Sequence, residues 1–281
     1  MPELPEVETV RRGLEPLLQA REIVSVTCHR HSLRYALPDL ASLVGKRLKH
    51  VQRRSKYLLF SFDQAQNTLD EMKPAQILVW HLGMTGQFHV LPQQAKAGAH
   101  EHVCFHLDDG QSLRYRDARR FGYAGLLDAD AWQSHAWFAK LGPEPLAQTF
   151  DINHLAAICK ARKAPIKNII MDAKNVVGVG NIYAAESLFR AGIHPARAAG
   201  RISRPRLILL LEMIQQVLQE AIAAGGSSIR DFVNSEGKPG YFAHSFQVYG
   251  RQGKACLRCP NHIKRITQAG RSSFYCPGCQ H

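Results

Sequence analysis

The chain has 281 residues, enough for two ordinary domains. Hydrophobic residues make up 45% and charged residues 21%, which excludes a wholly disordered chain, and the longest apolar stretches, such as Leu207–Leu211, fall far short of a membrane span. Lys and Arg number 36 against 23 Asp and Glu, a formal charge of +13 that asks for a polyanionic partner, most simply nucleic acid.

The N-terminus carries acids where a signal peptide needs bases, so the expectation is a soluble, cytoplasmic chain. Glu6–Leu18 sets Val7, Val10, Leu14, Leu17 and Leu18 at helical spacing and predicts an amphipathic helix. Residues 23–131 then hold short runs rich in Val, Leu, Phe and Tyr: Ile23–Thr27, Tyr57–Phe62, Ile77–Leu82, Gln87–Leu91, His102–Leu107, Ser112–Tyr115 and Gly122–Leu127. Turn formers such as Asp108-Asp109-Gly110 punctuate them, the pattern of an antiparallel sandwich or barrel. The polar stretch Asp63–Ala75 reads as a long loop. Gly142-Pro143-Glu144-Pro145 marks a boundary, beyond which helices are predicted over Asp151–Ala161 (with Asp151 as N-cap), Asn181–Ala191 and Pro205–Ala224. Ser228–Phe246 mixes Gly, Pro and polar residues and reads as a loop leading to the C-terminal segment.

That segment holds Cys256, Cys259, Cys276 and Cys279, two C-x2-C pairs separated by sixteen residues. The spacing fits a tetrahedral four-cysteine zinc site, with a spacer long enough for a β-hairpin. Disulfides are the alternative, but a chain without a signal peptide belongs in a reducing compartment. From Cys256 to His281 the only charged side chains are Arg258, Lys264, Arg265 and Arg271, all positive. A closed four-cysteine site binds and does no chemistry. The other three cysteines, Cys28, Cys104 and Cys159, read as small buried hydrophobes.

Chemistry is offered elsewhere. Removal of Met1 would leave Pro2 as the terminal residue, a secondary amine with a pKa of about 7.7–8.0 against about 10.4 for Lys. Such an amine can attack an aldehyde-like sugar carbon and give an iminium ion, and Glu3 beside it could shuttle protons. A chain that keeps Met1 has Pro2 as an amide and no nucleophile. Taken alone, a Met-Pro start is usually only a start, and Glu6 and Glu8 are acids favoured by a helix N-terminus. Val44–Phe62 carries six bases and no acid: a solvated face, or a strand carrying Lys56 towards a phosphate. Met84, in the Gly-flanked turn His81–Gly86, is either packed on a core or an apolar wedge for a base stack. Arg119 and Phe121, in Arg114–Gly122, suit stacking and base-edge hydrogen bonds, or form a basic turn over a buried Phe. Val176–Asn181 resembles a phosphate-binding turn but lacks the Lys-Ser/Thr of a P-loop and the third Gly of a dinucleotide fingerprint, so no nucleotide cofactor is expected.

Together these segments resemble the formamidopyrimidine-DNA glycosylase family over essentially the whole chain. Met1–Thr9, Gln52–Leu58, His81–Gly86, Arg119–Gly122, Lys140–Leu146, Val176–Glu186, Gly237–Phe242, Val248–Arg251 and the four clustered cysteines occur in the family's order. Leu4 favours this family over the sister endonuclease VIII, which typically has Gly there. The resemblance implies an α+β multidomain fold: an N-terminal antiparallel β-sandwich with an N-terminal helix over 1–131, a linker over 132–150, a helical domain with a helix–two-turn–helix motif and a lesion-covering loop over 151–243, and a zinc-finger hairpin over 244–281. It implies a monomer that holds one structural Zn2+, binds duplex DNA between its domains and works at the nucleoid of a bacterium. There it flips out an oxidised purine such as 8-oxoguanine or a formamidopyrimidine, removes it, and cuts the abasic site by β,δ-elimination. Pro2, Glu3 and Lys56 would be catalytic, with Lys56 on a phosphate near the lesion. Met84, Arg119 and Phe121 would fill the hole, Asn181 and Arg271 would bind phosphate, and Glu6, Glu186, Arg230 and Tyr241 would line the lesion pocket. Two departures from the family pattern are the long Asp63–Ala75 stretch and Arg230 where Lys is common. The rival readings are an endonuclease VIII-like preference for oxidised pyrimidines and a zinc-containing DNA-binding protein without catalysis.

Overall fold

The structure, a computed structural model, describes residues 2–63, 75–226 and 245–281. The expectations for the loops Asp63–Ala75 and Ser228–Phe246, and for Arg230 and Tyr241, fall wholly or almost wholly outside these residues. The chain divides into two compact units, Met1–Ala139 with Gly225–Gly240, and Lys140–Ala224 with Tyr241–His281.

In the first unit, helix α1 (Leu4–Leu18) starts two residues before the predicted Glu6, because Glu3 acts as its N-cap and Pro5 stands in the first turn, where a missing N–H loses nothing. Eight antiparallel strands follow: β1 (Ile23–Cys28), β2 (Arg47–Arg54), β3 (Tyr57–Asp63), β4 (Gln76–His81), β5 (Gln87–Pro92), β6 (Glu101–Leu107), β7 (Gln111–Arg116) and β8 (Tyr123–Asp128). They form two four-stranded sheets of order β1-β6-β7-β5 and β2-β3-β4-β8. The sheets make the expected β-sandwich. Its core holds Phe60, Trp80, Phe88, Phe105 and Tyr115, and α1 adds Val7, Val10, Leu14 and Leu18. Trp80 lies 4.6 Å from Tyr115 and 5.1 Å from Phe88, ring centre to ring centre.

Strand β2 was not expected, since its basic sequence offers only two buried residues, Leu48 and Val51. A register shift between Leu48 and His50 accounts for their odd spacing: the extra residue of a bulge breaks the alternation that strand reading depends on. The first part of the expected linker packs on this unit, where Phe138 lies 5.0 Å from Tyr57 and Trp137 5.1 Å from Tyr123.

The second unit holds helices α2 (Ile152–Cys159), α3 (Ile166–Met171), α4 (Asn181–Arg190) and α5 (Arg204–Ala223), then strands β9 (Lys264–Gln268) and β10 (Arg271–Tyr275). Asp151 caps α2 as expected, its carboxylate accepting from His154 N. Helix α3 was unforeseen: six residues after a proline give too few turns for a periodic signal. Leu155, Ile170, Tyr183, Leu188, Leu210 and Ile214 are among the residues of this unit's core. No helix among the described residues is long and apolar enough to cross a membrane.

Candidate active site and nucleic-acid interface

At the head of α1, Pro2, Glu3 and Glu6 are all buried. The Glu6 carboxylate accepts from Glu3 N at 2.8 Å, and the Glu3 carboxylate accepts from the Glu6 backbone N–H. This reciprocal capping box fixes the Pro2–Glu3 peptide on the helix end. Gly226, at φ +80°, lies against Glu6: a Cβ built there would stand 3.3 Å from Glu6 Cγ.

Lys56 is not on a strand, as expected, but in the two-residue turn Ser55-Lys56 that joins β2 to β3, with Arg54 paired to Tyr57. Ser55 has φ +57°, a conformation that suits a tight hairpin but strains a residue with a Cβ. The turn is tied to α1. Arg53 Nε donates to Glu8 Oε2 at 3.0 Å, and Arg53 Nη1 donates to Ser55 O at 2.9 Å. Glu8 is therefore more than an acid at a helix start. Burial pushes its carboxyl up, but hydrogen bonds from Arg11 and Arg12 and the charges of Arg11 and Arg53 outweigh it, and its pKa ends below the ordinary value. His81 closes β4 near the same turn. Burial, reinforced by the Lys56 and Arg34 charges, holds it at about 4, so it is neutral at pH 7. Its Nδ1 accepts from Gly83 N at 3.0 Å.

Met84 and Phe121 are 37% and 42% exposed, so neither is the buried core residue of the alternative reading. They sit on two connections that touch, 82–86 and 117–122. A Cβ on Gly83 would fall 2.3 Å from the Phe121 carbonyl carbon, so only glycine permits the approach. The Arg119 guanidinium lies over the Phe121 ring, 4.8 Å from its centre.

In the second unit Asn181 opens α4, and Lys167, 1% exposed, donates to Asn181 Oδ1 at 2.6 Å, Ser273 Oγ at 2.6 Å and Ser272 O at 3.1 Å. An ammonium only donates, so it fixes the Asn181 oxygen inward and turns its NH2 the other way. The same lysine holds β10 beside Arg271, and both line a depression with Asn168 and Gln268. Glu186 was expected in a pocket. Its carboxylate accepts from the backbone N–H groups of Gln247, Val248 and Tyr249 at 2.8–3.0 Å, anchoring the segment that leads to the finger.

The four sulfurs of Cys256, Cys259, Cys276 and Cys279 lie within 4.8 Å of one another. Two separations, 3.9 Å and 3.4 Å, are close to the edge of about 3.8 Å that a tetrahedron of about 2.3 Å Zn–S bonds requires. Asn261 Nδ2 donates to Cys259 Sγ at 3.6 Å, a support of the kind that orients metal ligands. The residues fit one structural Zn2+.

Neither Asp117, Lys167 nor Arg53 was singled out from the sequence. A lysine set among Ile166, Ile169 and Ile170 is the one signal by which Lys167 could have been found.

Family models match three stretches: the formamidopyrimidine-DNA glycosylase N-terminal domain over residues 1–124, the H2TH domain of the same enzyme over 141–233, and a zinc finger found in FPG and IleRS over 253–281. Sandwich, helical unit and four-cysteine finger thus define a multidomain zinc-finger protein of the DNA-glycosylase class. The formamidopyrimidine-DNA glycosylase of Alkalilimnicola ehrlichii is 47% identical, and that of Thioalkalivibrio sulfidiphilus 46%, each over the whole of both chains. Lactococcus lactis Fpg, solved with N7-benzyl-Fapy-dG DNA, superposes with a TM-score of 0.89 at 33% identity over the whole of both chains. The same enzyme with abasic-site DNA gives 0.89 over 99% of each. The chain belongs to the formamidopyrimidine-DNA glycosylase family.

Proposed function

We propose that Pro2, Glu3 and Lys56 carry out this family's chemistry in the chain, which excises oxidised purines, formamidopyrimidines among them, from DNA and cleaves the abasic site that results. The observation that carries the assignment is the capping box, which holds Glu3 one peptide bond from the Pro2 nitrogen at a buried helix end. With Met1 removed, the Pro2 amine attacks C1′ of the damaged nucleotide as the bond to the base breaks. Glu3 protonates the ring oxygen, the sugar opens, and an iminium joins Pro2 to C1′. The iminium acidifies C2′. Loss of that proton expels the 3′ phosphate, and a second elimination expels the 5′ phosphate, leaving a one-nucleotide gap.

The remaining residues hold the substrate. Lys56 meets a phosphate near the lesion, and Glu6 lines the pocket. Met84, Arg119 and Phe121 fill the space of the flipped base, Arg119 facing the orphaned cytosine. Asn181 offers its NH2, and Arg271 its guanidinium, to phosphates. One copy carries every residue the reaction needs, so the reading is of a monomer. Four reduced thiolates suit a cytoplasmic enzyme.

Borohydride trapping on duplex DNA with 8-oxoguanine opposite cytosine tests the chemistry, because reduction freezes the iminium as a covalent complex. Processed protein should be trapped. Pro2→Gly should turn over at least about tenfold more slowly, and Glu3→Gln should fail to release the base. Processed wild type that binds abasic DNA yet forms no adduct would sink the assignment.

A further inference from the structure

The two connections that carry Met84, Arg119 and Phe121 meet at one carboxylate. Asp117 is fully buried, at 0% exposure, and stands just beyond β7. Its Oδ1 accepts from the Thr85 hydroxyl and from Arg119 N at 3.3 Å. Its Oδ2 accepts from Gly122 N at 2.8 Å and from the Tyr115 hydroxyl at 3.3 Å. Arg119 N also reaches Thr85 Oγ1 at 3.0 Å, which closes a ring of hydrogen bonds between the connections. The backbone of Asp117 is held as well: its N–H donates to His100 O at 3.0 Å, and its carbonyl lies 2.8 Å from His102 Nε2.

Topology gives this cluster its place. The β4–β5 connection leaves the β2-β3-β4-β8 sheet for the other sheet, and the β7–β8 connection makes the return crossing. Asp117 joins these two crossings side by side. Packing then removes the remaining slack. A Cβ on Gly83 would stand 2.4 Å from Gly122 N, and one on Gly122 would stand 1.8 Å from the Tyr115 oxygen. Within the turn Arg120 holds φ +55°, a strained position for an arginine that the surrounding hydrogen bonds maintain.

We propose that Asp117 is a positioning residue that locks the connections 82–86 and 117–122 into one rigid body, so that Met84, Arg119 and Phe121 enter a duplex as a single wedge. This rests on the reading of those three side chains given above. A carboxylate is needed because two backbone N–H groups, on Arg119 and Gly122, address different oxygens. Hydroxyls can turn to suit a new partner, but a backbone N–H cannot. In Asp117→Asn one carboxylate oxygen becomes an NH2, so one of the two N–H groups loses its bond to residue 117 and the ring of hydrogen bonds between the connections is broken.

The experiment compares two substrates under single turnover with saturating enzyme. Removing 8-oxoguanine opposite cytosine requires the base to be extruded, whereas a preformed abasic site has no base to extrude. Asp117→Asn should slow base removal by about tenfold or more while abasic-site cleavage stays within about twofold of wild type. Thr85→Val, which keeps the shape and deletes one donor, should give the same split in milder form, and Thr85→Ser should restore base removal. The milder pair keeps the test open should Asp117→Asn fail to fold. Parallel loss of both activities, or base removal unchanged in Asp117→Asn and in Thr85→Val, would overturn the proposal. Wild-type protein that cuts neither substrate would defeat the parent reading instead, so the two failures are distinct.

Discussion

His81 shows what a single side chain contributes. It is held at about 4 by burial and by the neighbouring Lys56 and Arg34 charges, against about 6.5 in an unfolded chain. Between those values the unfolded state binds the extra proton, so stability is full above pH 6.5 and falls as the pH drops towards 4. Urea unfolding of wild type should therefore lose a few kcal/mol between pH 7.5 and pH 4.5 on this account, and His81→Gln should flatten that limb. An equal pH slope in the variant would disprove it. Residues of this kind divide by whether their partners lie near in sequence. The four cysteines could be read because each C-x2-C pair is local, whereas the roles given to Pro2 and Glu3 came only from the family resemblance. Lys167 could not be read: its partners Ser272 and Ser273 lie 105 and 106 residues away, and only folding brings them together. Asp117 stood inside a stretch read for its arginines, yet its bond to Thr85 spans 32 residues.

At the level of elements, α1 and the β2–β3 hairpin form one working part, because Glu8 and Arg53 link the helix that presents Pro2 to the turn that presents Lys56. The lowered pKa of Glu8 means that its contribution is present above about 4.5 and is lost as the pH falls through the lower folded value. Glu8→Gln should cost about 1–3 kcal/mol at pH 7, and the gap to wild type should close in acid. A gap that persists unchanged at pH 3 would mean that the loss is one of shape rather than of charge. Helix α1, seven of the eight strands, the capped α2, α4, α5 and the finger hairpin were legible, since each carries periodicity or a turn signal. Strand β2 was hidden by its bulge and its bases, and α3 by its length. The same bases concealed that Arg53 is a structural bridge rather than part of a solvated face.

At the scale of the molecule, the charge of +13 becomes particular placements: Lys56 in the first unit and Arg271 in the second. The finger is the part most dependent on its ion, because its apolar cluster is small and two of the buried members, Cys256 and Cys276, are themselves ligands. Chelation should melt the β9–β10 hairpin, leave the unfolding transition of the sandwich in place, weaken DNA binding, and lower the salt slope by about one as Arg271 ceases to displace a counterion. Unchanged affinity after verified metal loss would remove the finger from the interface. Two family models divide this second unit, one ending at residue 233 and the next beginning at 253, yet Lys167 and Glu186 on its helices bond to Ser272, Ser273 and the backbone of 247–249. The finger is thus no detachable cassette. Transplanted alone it would carry acceptors that a missing ammonium used to answer, and a helical part stripped of it would bury a lysine with nothing to hold. Whoever shuffles such parts, in a laboratory or by recombination, must move helices α3 and α4 with the finger or rebuild both seams.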